Sequence, residues 1–195
     1  MPFIGNKPSA VPLTSADITD GIITSAKIAD GTIVNADINA SAAIATSKLS
    51  GGTNTPAFYA YRATSNQSIP DNADTTIQYN AELFDTDSCY NTSTYKFIPN
   101  VSGKYFINAC ILLNGGSNST RFEFYIVKNG VIAKAVRQQG ADGNPFSIKI
   151  AGIVEANGTT DEITIQFYAF TGSLQVVFNA SGVTSFFEGY RLIGV

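Results

Sequence analysis

The sequence predicts an all-β protein in two unlike parts, a slender repeat followed by a sandwich or jelly roll of short antiparallel strands. Three observations carry that reading. Isoleucines recur five residues apart at Ile18, Ile23, Ile28, Ile33 and Ile38, and the series continues with Ile44 and Leu49 after a one-residue slip. From about Pro56 onward, short runs alternate apolar and polar residues between turns rich in Gly, Asn and Asp. No stretch carries the period of an amphipathic helix.

Residues 1–13 read as an anchoring peptide. Phe3, their sole aromatic, stands beside Ile4 among prolines and suits an extended docking segment; a frayed terminus is the alternative. The opening Met-Pro-Phe-Ile-Gly-Asn-Lys-Pro lacks the basic patch and apolar core of a secretory signal, and its initiating Met suggests a complete chain.

Residues 14–52 form the repeat. Five helical steps rotate a side chain by about 140°, so the isoleucines make no helical stripe, and in a flat strand an odd step sends successive ones to opposite faces. A chain that turns a corner every few residues satisfies the spacing. Small residues stand two before the isoleucines (Ala16, Gly21, Ala26, Gly31, Ala36), and Asp20-Gly21 and Asp30-Gly31 supply turn chemistry. The segment therefore reads as a fibrous β-stem. Ordering it costs roughly 1–2 kcal/mol of backbone entropy per residue, while a buried isoleucine returns only about 1.5–3 kcal/mol. Half-exposed isoleucines would not hold it together. The pattern resembles the pentapeptide repeat, a four-sided single-chain coil, but seven units fill only about one and a half coils, short of the ~3 stacked repeats such architectures need. Three chains wound together would bury Ile18, Ile23, Ile28, Ile33, Ile38, Ile44 and Leu49 on a shared axis. The single-chain coil and a disordered tether stay open as alternatives, the latter because no aromatic occurs between Phe3 and Phe58.

Composition bounds the partners. The 195 residues carry net charge −3, with 44% hydrophobic and only 14% charged residues, mostly isolated from one another. A nucleic-acid or anionic-membrane surface would need clustered Lys and Arg, so neither is expected. No apolar run is long enough to span a bilayer as a helix. Low charge with abundant Ser, Thr, Asn and Gly fits a virion or extracellular surface. Cys110 reads as a small core residue in a strand and Cys89 as a free loop thiol, both reduced in a protein made in the cytosol. Triplets at Asn91, Asn118 and Asn157 match the glycosylation pattern but read as products of composition.

Residues 53–195 form the sandwich. Strands are expected at 57–62, 76–79, 96–98, 105–113, 120–128, 131–137, 146–154, 162–170, 174–179 and 184–193, with turns at Asn114-Gly115-Gly116, Asn129-Gly130, Asp142-Gly143 and Asn157-Gly158. Phe122, Phe124 and Ile126 share one face of their strand, as do Ile163, Ile165, Phe167 and Ala169 of theirs.

The order of landmarks resembles the globular C1q/TNF-like domain. Pro56-Ala57-Phe58-Tyr59-Ala60-Tyr61-Arg62 is similar to that family's first strand. Tyr95-Lys96-Phe97-Ile98-Pro99-Asn100-Val101-Ser102-Gly103-Lys104-Tyr105-Phe106 is similar to its central signature, Lys128-Asn129-Gly130 to its hairpin, and Ser185-Phe186-Phe187-Glu188-Gly189-Tyr190-Arg191-Leu192 to its closing strand. Ser102 stands where a second proline is usual, and residues 155–162 are looser than the usual leucine-rich turn into Gly-Asp. The resemblance implies a ten-stranded jelly roll that trimerises around a threefold axis with its N-termini at one end. Gly-X-Y triplets of a collagen stalk are absent, and the five-residue repeat stands in their place. Anchor, repeat and small trimeric tip together resemble bacteriophage fibre proteins, especially those of viruses infecting marine bacteria and cyanobacteria. Residues 1–13 would then insert into another virion protein.

Candidate chemistry is sparse. The chain has no histidine, which removes Ser-His-Asp and Cys-His catalysis and the commonest zinc sites. No cofactor is expected. Asp85 with Asp87, or Asp161 with Glu162, are the nearest carboxylate pairs for glycoside hydrolysis, though adjacent strand residues face opposite ways. Asp85 and Asp87 are also weak Ca²⁺ candidates, since hard oxygen ligands in a loop suit that ion; solvated turn carboxylates are the ordinary alternative. Among the tyrosines, Tyr90 with Asn91 is the candidate contact for a ligand outside the trimer. The expected function is a non-enzymatic virion fibre, a homotrimer whose tip touches a host surface glycan or protein. A capsid-decorating or connecting protein of the same architecture is the alternative. A polysaccharide-degrading spike comes third, because 195 residues leave no room for a large β-helix with an acidic groove.

Overall fold

The computed structural model describes residues 14–39, 41–44, 48, 54–115, 121–139, 145–170, 174–176 and 184–193, and its architecture is all-β, as expected. The chain divides into two units, Met1–Ala45 and Thr46–Val195.

In the first unit the five-residue period is a period of turns. Backbone N–H groups of Asp17, Ile22, Lys27, Thr32, Asp37 and Ala42 donate to the carbonyls of Thr14, Thr19, Thr24, Ala29, Val34 and Asn39, each bond closing a turn three residues back. Two kinds of turn alternate. Short 3₁₀ turns occupy Ser15–Asp17, Ser25–Lys27 and Asn35–Asp37, where alanine holds the third turn position. The intervening turns place Gly21 and Gly31 there with φ of 80° and 76°. That left-handed conformation admits glycine without strain and marks a type II turn. Asp17 and Asp37 reinforce their turns, their carboxylates accepting from the backbone N–H of Thr14 at 2.8 Å and of Val34 at 2.9 Å. Among the described residues of this unit there are turns but no strand. Among the described residues of the repeat only one or two residues separate successive turns, too few for a ladder within them.

The second unit contains thirteen strands among its described residues. They are β1 (Ala57–Tyr61), β2 (Gln67–Ile69), β3 (Thr75–Thr76), β4 (Ala81–Asp85), β5 (Tyr90–Asn91), β6 (Lys96–Phe97), β7 (Gly103–Gly115), β8 (Arg121–Lys128), β9 (Val131–Gln139), β10 (Phe146–Ala156), β11 (Ile163–Phe170), β12 (Leu174–Val176) and β13 (Phe186–Arg191). All ten expected strands are present, and β2, β4 and β5 are additional. The first sheet runs β2-β12-β7-β13-β1-β4, with β10 paired along β7; the second runs β5-β6-β11-β8-β9, with β3 on β11. Asn114 and Gly115 extend β7 instead of turning the chain, and the Asp142-Gly143 turn lies outside the described residues. Asn129 and Gly130, at φ of 50° and 77°, make the two-residue link between β8 and β9, whose left-handed pair matches the twist of a hairpin.

The core lies between the sheets because alternate residues of each strand face inward. Phe58, Ala60, Phe187, Ile107, Ala109, Ile111 and Leu113 meet Phe97, Phe122, Phe124, Ile126, Ile163, Ile165 and Phe167, all at most 1% exposed. Phe58 is the hub, its ring 4.3 Å from Phe97, 4.8 Å from Phe187 and 5.2 Å from Tyr90. The 155–162 turn is densely bonded. Asn157 Oδ1 accepts from the backbone N–H of Thr159, Thr160 and Asp161, and Asp161 accepts from Asn157 N–H at 2.9 Å, Asn129 Nδ2 at 2.7 Å and Lys128 Nζ at 2.8 Å. Cys89 and Cys110 are free and buried.

Candidate functional site

The outer faces of the two sheets are partnered differently. On the second sheet, Glu123 accepts from Arg121 at 3.1 Å and Arg137 at 2.9 Å, and the Tyr125 hydroxyl bonds the same carboxylate. The Glu123 carboxylate is thus paired three times, while Ile132 on β9 stays 53% exposed. On the first sheet, the outward positions of β1, β4, β7, β10 and β13 carry Tyr59, Tyr61, Phe84, Phe106, Ile153, Phe186 and Tyr190. Registers Tyr59↔Phe84, Tyr61↔Phe186, Tyr190↔Phe106 and Ile153↔Phe106 place them side by side. Tyr59 stacks on Phe186 at 5.5 Å, and Phe106 meets Tyr190 at 5.5 Å. Phe84 remains 50% and Ile153 62% exposed, so no layer among the described residues covers them. At the centre Asn108 Nδ2 donates to Glu188 Oε1 at 2.7 Å. Burial, with the Glu188 carboxylate second, raises the Tyr59 phenol above its ordinary pKa, which keeps the hydroxyl neutral. A contiguous aromatic patch of this kind is the ordinary mark of a protein contact surface.

The sequence-predicted residues fall as follows. Ile18, Ile23, Ile28, Ile33, Ile38 and Ile44 lie 38 to 55% exposed on the turn repeat, whereas Leu49, Phe3 and Ile4 lie outside the described residues. Asp85 spends its carboxylate on its own loop, Oδ2 accepting Tyr90 N–H at 2.7 Å and Oδ1 accepting Asp87 N–H at 3.4 Å. No group of three or more metal-ligating side chains occurs among the described residues. Tyr90 corrects the expectation of a ligand contact. Its ring is 6% exposed against Phe58, and its hydroxyl donates to the Tyr79 carbonyl at 2.7 Å. The alternation that exposes Asn91 turns Tyr90 inward.

The surface near that loop holds a polar groove that sequence reasoning missed. After β1 the segment 62–80 crosses from the first sheet to the second and back, and with the 91–95 turn it walls a groove of about 600 Å³. Arg62, 5% exposed, braces the wall by donating Nε to Ser65 O at 3.0 Å and Nη1 to Gln78 O at 2.9 Å. Gln67 Nε2 donates to Thr76 O at 2.8 Å while its Oε1 accepts Gln78 N–H at 2.8 Å. Asn91 Oδ1 accepts from Ser93 and Thr94 N–H, each at 2.9 Å. The N–H of Tyr95, at φ 61°, donates to Asn91 O at 2.7 Å.

The fold so described is that of the C1q/TNF-like jelly roll. Eiger TNF from S. frugiperda superposes with a TM-score of 0.53 at 13% identity, over 71% of this chain and 93% of that one. Murine APRIL superposes with a TM-score of 0.52 at 11% identity, over 70% and 98%. At these identities the likeness is one of fold. No family model matches the chain, and no curated protein sequence does. No helix among the described residues is long and apolar enough to cross a membrane.

Proposed function

We propose that this chain is a non-enzymatic, homotrimeric structural protein of a phage virion, a short fibre whose jelly-roll tip contacts the host surface. The observation that carries the trimer is the uncovered aromatic face of the first sheet. Phe84, Ile153 and Tyr190 are exposed beside the half-buried Tyr59, Phe106 and Phe186, next to a satisfied Asn108–Glu188 pair, the composition of an interface core with a polar register mark. Two further copies of the same chain are its occupants, since the exposed isoleucines of the turn repeat ask for the same partners. Three copies of each turn would enclose Ile23, Ile28 and Ile33 that one chain leaves half in water. The virion setting rests on the resemblance of the domain order to phage fibres, in which residues 1–13 seat in another virion protein. Trimerisation multiplies weak tip contacts through effective concentration, without new interactions.

Light scattering of the purified chain tests assembly, with an expected mass of three times 20.7 kDa. Tyr59→Ser combined with Phe84→Ser and Phe186→Ser should leave a folded monomer; an unchanged mass would remove the sheet face from the interface. Incubation with host cells and isolated envelope polysaccharide should show retention with no released sugar. Released sugar would overturn the non-enzymatic reading, and absence of retention would favour a decorating role.

A further inference from the structure

We propose that the groove walled by residues 62–80 and 91–95 is a binding site for neutral saccharide. The proposal gives the host-contact reading a ligand class and rests on that reading only for its biological setting. The groove's volume, about 600 Å³, is within the ~300–1,000 Å³ of small-molecule sites. Apart from Arg62, the Asp74 carboxylate, Pro70 and Tyr95, its lining is made of amides and hydroxyls, groups that both donate and accept. Asn66, Gln67 and Gln78 bring amides, and Thr76, Ser93 and Thr94 bring hydroxyls. A ring of sugar hydroxyls, which also donate and accept, is the ligand such a lining satisfies.

Other ligand classes fit poorly. A polyanion needs several cations, and here Arg62 is the one cation of the lining, with Nε and Nη1 already given to protein carbonyls. An apolar ligand needs apolar walls, and of the lining residues only Pro70 and Tyr95 offer any. Tyr95 supplies what a sugar ring uses, a flat apolar surface with a polar tip.

The groove is also built in advance. Gln78 is bonded to both Gln67 and Arg62, so the wall does not have to order on binding. Tyr95 holds a left-handed backbone that glycine or asparagine would adopt more cheaply. Bulky residues retained in that region cluster at functional sites. The chain enters β1 at Ala57 and reaches Arg62 at the other end of the strand, so the groove and the chain's entry lie at opposite ends of β1.

The test is saturation-transfer NMR and titration calorimetry on the full chain with lactose, maltotriose and triacetylchitotriose, and with dextran sulfate as the charged probe. At least one neutral probe should bind with millimolar affinity and dextran sulfate should not. Tyr95→Gly relieves the left-handed backbone, so its melting temperature should hold or rise while Kd weakens about tenfold, ~1.4 kcal/mol. Thr94→Val, near in shape, should weaken binding several-fold at unchanged stability. Failure of all three neutral probes, binding of dextran sulfate alone, or equal binding by both variants would overturn the proposal. The two readings fail separately. Retention of Tyr95→Gly on host cells at the wild-type level removes the groove and keeps the fibre, whereas saccharide binding without retention keeps the groove and removes the host contact.

Discussion

The turn repeat of residues 14–44 and the β-sandwich are equally regular in sequence, yet they use their apolar residues in opposite ways. Every residue of the repeat whose side chain is described is exposed, its isoleucines at 38 to 55%, whereas Phe58, Phe97 and Phe187 of the sandwich are at most 1% exposed. The repeat makes its backbone bonds locally, one N–H in each turn reaching a carbonyl three residues back. The sandwich satisfies its side chains at long range, as where Phe58 on β1 packs at 4.8 Å against Phe187 on β13. Local hydrogen bonds can set a backbone path, but they bury nothing. In water such a bond nets only about 0.5–1.5 kcal/mol, so the repeat needs a partner surface and the sandwich contains its own.

The sharpest way to break the comparison is at the sandwich hub. Phe58→Ala removes a ring that stacks on Phe97 and Tyr90 and meets Phe187 edge to face; it should cost about 3–5 kcal/mol, read as a lower denaturant midpoint with the turn repeat unaffected. A loss under ~1 kcal/mol would mean that the aromatic cluster is not the anchor of the fold.

Gly158→Ala comes next. Its φ is 76°, and a Cβ there would lie 2.3 Å from Ser102 N and 2.5 Å from Val101 C, both backbone atoms that cannot yield cheaply. The expected loss exceeds the ~1–2 kcal/mol of left-handed strain alone. Thermal unfolding checks this, with Gly130→Ala as the control that has open space and strain only.

Replacing Ile23, Ile28 and Ile33 together by Asn sharpens the contrast from the other side. The sandwich's melting temperature should stay within the ~0.5 kcal/mol of surface substitutions, while residues 14–44 lose protection from protease in the assembled protein. Unchanged protection would show that these isoleucines line no buried axis. A chain starting at Asn54 should melt as the full chain's sandwich does.

The smallest effect is one of pH. Lys128, then Asn129, hold the Asp161 carboxyl below the usual carboxylate range. Its folded pKa is lower than its unfolded one, so the unfolded state binds more protons in acid. The stabilisation is present above ~3.9 and is lost as pH falls through the depressed folded value. Asp161→Asn should therefore be less stable than the parent at neutral pH, with the gap closing as pH falls below the unfolded carboxylate's ~3.9. A gap independent of pH would deny the ion pair its part in the turn.

Legibility followed the range of the interactions. Long strands such as β7, β8, β10 and β11 could be read because alternation survives wherever one face meets a core, as in Phe122, Phe124 and Ile126. β4 escaped because it is an edge strand, with Glu82, Leu83 and Phe84 all exposed and a register shift opposite Tyr59, so no alternation marks it. β2 and β5 have three and two residues, too few for a period. The groove left no sequence signal, since Arg62, Gln78 and Tyr95 meet only when the crossing segment folds beside the 91–95 turn. Attention to Tyr90 and Asn91 came within a few residues of the lining but chose the ring that points inward.

What the sequence determined by itself are the features whose cause lies within a few bonds. Gly21 and Gly31 alternate with Ala16, Ala26 and Ala36, and that alternation dictates which turns are left-handed. Asn129-Gly130 dictates a tight hairpin, and β-branched and aromatic alternation dictates strands. Tertiary structure alone decided which face of each strand is inside, because a face is defined by the layer it meets. It sent Phe58 and Tyr90 to the core and left Tyr59 and Phe186 half-buried and Phe84 exposed on the outer face of the first sheet. The strand period is two for both sets, and only packing against the second sheet tells them apart.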